Sequence, residues 1–120
     1  MKIEYLALAI AKTCGAFDPT TTAFRLNNPG LLKVYSVKHV DTMHDGFRRF
    51  LSWQAGFKAL CFDLMLKCQG ESRAKLERST PLSSLLNMWE IKDPRKTILF
   101  LQRGIGDETI SEQTPLEYFV

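Results

Sequence analysis

The side chains able to do chemistry gather in the first half of the chain: Cys14, His39 and His44, and the carboxylates Glu4, Asp18, Asp41 and Asp45. A thiol beside an imidazole that a carboxylate orients is the pattern of a cysteine nucleophile. Cys14 with His39 or His44 as base, and Asp41 or Asp45 behind the base, would suit peptidase or amidase chemistry. The place of Cys14 argues against it. It falls in the last turn of a predicted helix, where unpaired carbonyls disfavour a thiolate, whereas reactive cysteines favour helix N-termini. The plainer reading of both histidines is as ordinary strand or surface residues.

The same helix end would suit a different group. Glycosidic cleavage needs a carboxylic acid that stays protonated near neutral pH, with a carboxylate or water on the other side of the sugar. The carbonyl end of a helix and apolar surroundings both raise a carboxyl pKa. A thiol, with an ordinary pKa of about 8.5 that such a site raises further, is a poor acid as well as a poor thiolate. No other carboxylate stands in well. Glu4 lies about 15 Å back along the helix. Asp18 opens an Asp-Pro turn on a solvated loop, and Asp41 and Asp45 have the sequence setting of turn formers.

The elements that must position these groups are legible from spacing. Ile3, Leu6, Ala7 and Ile10 recur at helical period over residues 2 to 13, and Gly15 is suited to a left-handed stop. Ala16 to Leu26 reads as a polar loop and Asn27-Asn28-Pro29-Gly30 as a turn. A strand is predicted over Leu31 to Val40, a turn over Asp41 to Gly46 and a short strand over Gly46 to Phe50, which together make a hairpin. Ser52 caps a helix from Trp53 to about Cys68 whose apolar stripe includes Phe57, Leu60, Cys61, Leu64 and Cys68. Gln69 to Ser79 is a connector. Thr80-Pro81, Asp93-Pro94 and Thr114-Pro115 each read as a cap with proline in the first helical position. They open a helix through Trp89, a second over Arg95 to Arg103 that Gly104 ends, and a terminal turn reaching Phe119.

Length and composition narrow the classes. A chain of 120 residues fits one domain, 1–120, with one core. A net charge of +3 is a slight bias toward anionic partners, and with no run of like charge it does not argue for nucleic acid. Ile3 to Ile10 is too short for a membrane span and lacks a following cleavage site. The protein is therefore expected to be made in the cytoplasm without a signal peptide. The three cysteines lack metal-type pairing; Cys61 and Cys68 share one helix face and read as small hydrophobes, with no disulfide, metal or cofactor expected.

The stretch Ile10 to Gly30, IAKTCGAFDPTTTAFRLNNPG, resembles the opening of the small lysozyme-like domains of phage lytic enzymes and virion proteins. These have an Ala-rich helix, Glu-Gly, a short loop and R-N-N-N-P-G-N. Phe50 to Leu60 is similar to the family's F-x-[ST]-x-x-x-G-x-x-A-L helix start. Thr80 to Trp89, Pro94 to Gly104-Ile105, and Thr114-Pro115-Leu116 follow in the family's order, so the likeness covers nearly the whole chain. It implies an α+β, mainly α, lysozyme-like single domain whose small hairpin, at roughly residues 31 to 50, borders a cleft.

The departures fall where chemistry would be. Cys14 stands where the family has its general acid, Leu26 interrupts the asparagine run, and Leu31 replaces an asparagine. The family's Glu-Asn-Asp-Thr segment is only faintly echoed in Glu90, Asp93 and Thr97. The resemblance therefore implies a degenerate domain of phage or prophage origin with little or no glycosidase activity. It would bind peptidoglycan glycan, with Arg25, Asn27, Asn28 and Tyr35 as substrate-binding positions, or serve a virion or assembly protein as a structural partner. Virion carriage or release would bring it to the cell wall. The alternative is an active muramidase or lytic transglycosylase that uses a displaced carboxylate, or a Glu-to-Cys variant of one. The aromatics Phe24, Tyr35, Phe47 and Trp53 have faces for sugar stacking, and Arg48 and Arg49 have charge for peptide stems. Their plainer reading is core and solvated strand face.

Overall fold

Ile3, Leu6, Ala7, Ala9, Ile10 and Ala11 are all buried on α1, Lys2–Thr13, which is the hub of the core. In the computed structural model, which describes residues 1–33, 43, 44, 46–72 and 74–120, α1 packs on α3, Trp53–Gln69, and on α5, Arg95–Ile105. Leu60 and Leu64 of α3, Leu82, Leu85 and Leu86 of α4 (Leu82–Met88), Leu101 of α5, and Leu116 and Phe119 close around it. The protein is mainly helical, as the periodicity predicts.

Helix ends follow local chemistry. Gly15 takes a left-handed φ of 78°, and the N–H groups of Gly15 and Ala16 return to the carbonyls of Lys12 and Ala11 at 3.1 and 3.0 Å. This glycine-stopped turn satisfies carbonyls that the helix end would otherwise leave open. Ser52 caps α3 as expected, its Oγ accepting from Ala55 N at 3.1 Å.

Four expectations need correction. Ala16 to Leu26 is not all loop: Thr22–Arg25 forms a one-turn helix, α2, because the Thr21 hydroxyl accepts from Phe24 N at 3.2 Å and starts it. Ala16, Ala23 and Leu26 are buried there, although the segment reads as polar. Second, the expected turn 41 to 46 contains strand β1, Met43–His44, which pairs antiparallel with β2, Phe47–Arg48, in the register Met43↔Arg48 and His44↔Phe47. Of the strand expected over 31 to 40, Lys33 makes a single bridge to Phe47, and 34 to 40 lie outside the described residues.

Third, each proline precedes its helix rather than occupying the first helical position. Pro81, Pro94 and Pro115 are the caps, and Pro81 bridges Pro115. The Thr80 and Thr114 hydroxyls instead accept from Glu77 N and Ser111 N, so they shape the approach to the helix. Fourth, α5 runs through Gly104 and stops at Gly106, which has the left-handed φ of 81°. A Cβ on Gly104 would lie 2.7 Å from Tyr5 Cδ1, so this glycine serves close packing with α1. Among the described residues no helix is long and apolar enough to cross a membrane.

Candidate functional site

A groove of about 650 Å³ opens between the end of α1, the β2 strand, α3 and the end of α4. Its floor is residues 30–33, and the turn before them, residues 27–29, anchors them. Asn27 sits at φ 51° and its Nδ2 donates to Phe50 O at 3.1 Å. Asn28 is fully buried. Its Nδ2 donates to Leu32 O and to Arg48 O, both at 2.9 Å, and its Oδ1 accepts from Leu32 N at 2.8 Å. One amide therefore joins the turn to itself and to the hairpin, leaving no hydrogen-bonding edge for a ligand.

Glycines let this segment lie directly on α3. A Cβ on Gly56 would press into the Asn27 carbonyl and sit 2.9 Å from Pro29 Cδ, and one on Gly30 would crowd the Leu60 side chain. The Gly in the α3 opening thus lets the turn backbone approach the helix, and the Gly closing the Asn-Asn-Pro-Gly turn makes room for the Leu60 side chain.

Cys14 and Thr13 form one wall of the groove. Burial pushes the Cys14 thiol up to about 11, so near pH 7 only roughly one molecule in ten thousand carries a thiolate. The nucleophile reading gains nothing from its partners: His39, Asp41 and Asp45 lie outside the described residues, and His44 is described only as strand backbone.

The opposite wall was harder to foresee. Trp89 donates from Nε1 to Gly30 O at 2.7 Å, bridging the end of α4 to the groove floor. Lys67 is buried, its ammonium 5.6 Å from the centre of the Trp89 ring, and it donates to Asp63 Oδ2 one turn back on α3. The i, i+4 spacing of Asp63 and Lys67 is visible in the sequence, yet nothing local says that this pair faces inward. Glu90 completes the rim and is exposed. Both Leu31 and Glu90, on the groove, hold left-handed φ values of 51° and 58°, a conformation that costs a non-glycine residue roughly 1 kcal/mol.

The remaining candidates lie elsewhere. Arg25 is exposed and bonds within its own turn, from Nε to Thr21 O at 3.3 Å and from an Nη to Thr22 Oγ1 at 3.4 Å. Arg25 and Asn27 do not line the groove, and Tyr35 lies outside the described residues. Asp18 accepts from Thr20 N at 3.0 Å and from its hydroxyl at 2.8 Å, which lowers its carboxyl below the usual range. It is a turn former and not an acid. Trp53 stacks on Phe57 at 5.1 Å and meets Phe17, tilted, at 5.7 Å, so its ring already has aromatic neighbours. Among the described residues no cluster of three His, Cys, Asp or Glu side chains could hold a metal ion.

The groove sets the Trp89 indole and the buried Lys67 opposite a thiol that burial keeps neutral at the end of α1. Comparison with protein-family models, with curated proteins and with solved structures finds no match.

Proposed function

We propose that the chain is a degenerate lysozyme-like domain that binds peptidoglycan glycan in this groove, or uses it to join a virion or assembly protein, with little or no glycosidase activity. The observation that carries the reading is Cys14. It ends α1 on the groove wall with a thiol held near 11 by burial. An environment that keeps a thiol neutral would keep a carboxyl protonated, which is what a general acid requires. The site favours acid catalysis and lacks the acid.

The experiment is a lysis assay and a co-sedimentation assay on purified sacculi, with the natural chain and with Cys14→Glu. The natural chain should sediment without lysing. Cys14→Glu should gain weak lysis, since a positioned general acid contributes roughly a hundred- to ten-thousand-fold in rate. Clear lysis by the natural chain refutes the degenerate reading, and failure of both proteins to sediment removes the glycan.

One observation favours the second reading, an active glycosidase with a displaced carboxylate: Asp63 and Glu90 both line the groove. Asp63 is tied to Lys67, which leaves Glu90 as the candidate. Under that reading the natural chain lyses sacculi and Glu90→Gln does not.

A further inference from the structure

Asp63 and Lys67 form an ion pair one turn apart on α3, the Lys67 ammonium donating to Asp63 Oδ2. Lys67 is 7% exposed, and lysine is seldom buried so far. Taking charges out of water costs free energy that their attraction often fails to offset, so apolar residues of similar size would hold this region as well or better. A buried pair that joins two elements can at least fix how they dock. This pair cannot, because both partners stand on one helix at a spacing the helix itself supplies.

Its position suggests another use. Asp63 and Lys67 line the groove together with Trp89, whose ring centre lies 5.6 Å from the ammonium. Neither charged group is saturated. An ammonium has three donors and a carboxylate has two acceptor oxygens. Among the described residues Lys67 Nζ donates only to Asp63 Oδ2, and Asp63 Oδ1 accepts nothing. The Asp63 side chain is 25% exposed, so Oδ1 is within reach of a ligand. The Trp89 Nε1 donor is committed to Gly30 O, which leaves the indole to offer its ring surface and no polar edge. The pair thus sets a fixed acceptor and a fixed donor side by side, next to an aromatic ring.

We infer that, given the glycan reading above on which this rests, Asp63 and Lys67 recognise two neighbouring polar substituents of one pyranose ring whose C–H surface meets the Trp89 indole. Adjacent substituents of a pyranose stand about a hydrogen-bond length apart, which matches two partners that are themselves hydrogen-bonded. One substituent, a hydroxyl or an acetamido N–H, donates to Asp63 Oδ1, and the oxygen of the next accepts from Lys67 Nζ. A single trans peptide group fits poorly, because its N–H and C=O point in opposite directions. A carboxylate fits poorly as well, since it would meet Asp63 and Glu90 as like charges on the same groove.

The full chain is compared with Asp63→Leu/Lys67→Met, which removes both charges and keeps apolar bulk, and with the isosteric Asp63→Asn, using glycan strands stripped of their peptide stems. The double variant should unfold at the same or a higher urea concentration than the natural chain, yet bind the strands at least about tenfold more weakly, as expected for loss of charge-assisted contacts. Asp63→Asn should fold and lose about tenfold as well, because its amide turns a donor toward the ligand's donor; it decides alone if the double variant does not fold. Unchanged binding by Asp63→Asn, or a double variant that is less stable and binds as before, overturns the inference and leaves the glycan reading standing. If the natural chain does not bind the strands, a plain β-1,4-linked glucose oligosaccharide decides. Movement of the Lys67 amide and Trp89 indole resonances in the natural chain, absent in Asp63→Asn, keeps the sugar-binding pair while the peptidoglycan reading falls. No movement removes both.

Discussion

The floor and the wall of the groove are built to different standards. In the turn that anchors the floor, Asn28 is fully buried with its amide engaged three times, and a Cβ on Gly56 would press into the Asn27 carbonyl, so the turn lies close on α3. On the wall, Cys14 is half-buried with no hydrogen bond to its thiol among the described residues, and Glu90 is exposed. The floor is anchored by a packed, bonded joint, whereas on the wall the Cys14 and Glu90 side chains make no such joint among the described residues. A change on the floor should therefore be read out as stability and a change on the wall as chemistry. The groove can keep its shape after its wall has lost a reacting group.

The sharpest way to break this contrast is Gly56→Ala. In an exposed helix interior, Gly→Ala stabilises by about 1 kcal/mol. Here the new methyl would press into the Asn27 carbonyl and Pro29 Cδ, and backbone cannot yield as a side-chain tip can. We expect the sign to invert, with a loss of about 3 kcal/mol in urea unfolding. A gain would mean that the turn does not rest on α3. Next comes Asn28→Ala, which leaves Leu32 N, Leu32 O and Arg48 O without this partner. A loss of roughly 2–3 kcal/mol is expected, with the amide signals of the hairpin moving as the joint opens.

On the wall, the expected effect appears only at high pH. Burial pushes the Cys14 thiol up from 9.0 to about 11, so the neutral form is favoured by folding. The stability this contributes is fully present below pH 9 and is lost as the pH rises toward 11, because the unfolded chain releases the proton first. The change is on the order of 2 kcal/mol. Natural chain and Cys14→Ser should thus differ in the slope of unfolding free energy against pH between 9 and 11, with the steeper fall in the natural chain. Burial also pushes the Cys68 thiol up, to about 12, but that titration is common to both proteins and cancels in the difference. Parallel slopes would place Cys14 in water.

This division also explains what could be read from the chain. Helices α1 and α3 were legible because their apolar spacing and the Ser52 cap are local signals. The Asn-Asn-Pro-Gly turn was legible as a turn, but the burial of Asn28 was not, since its partner Arg48 comes from β2, twenty residues on. Cys14 was placed at a helix end from the glycine after it. Lys67 and Trp89 were missed as wall residues because lysine is normally solvated and tryptophan at helical spacing is normally core. Their meeting depends on how α4 docks beside α3, which no local pattern encodes.

Trp89 is where floor and wall meet, and it gives the smallest and most discriminating stability effect. Its ring lines the groove while its Nε1 holds Gly30 O. Trp89→Phe keeps an aromatic face for Lys67 and loses one hydrogen bond. The Gly30 carbonyl is then the only floor group left short of a partner, and its lost bond should cost about 1 kcal/mol in urea unfolding, well below the loss from Asn28→Ala. Because the smaller ring also retracts from the groove, sedimentation with sacculi should weaken while the fold persists at neutral pH. A stability loss as large as that of Asn28→Ala would assign Trp89 to the floor. An unchanged stability with unchanged sedimentation would mean that the indole neither braces the turn nor meets the ligand, and the ligand would then have to be sought on the Cys14 side of the groove.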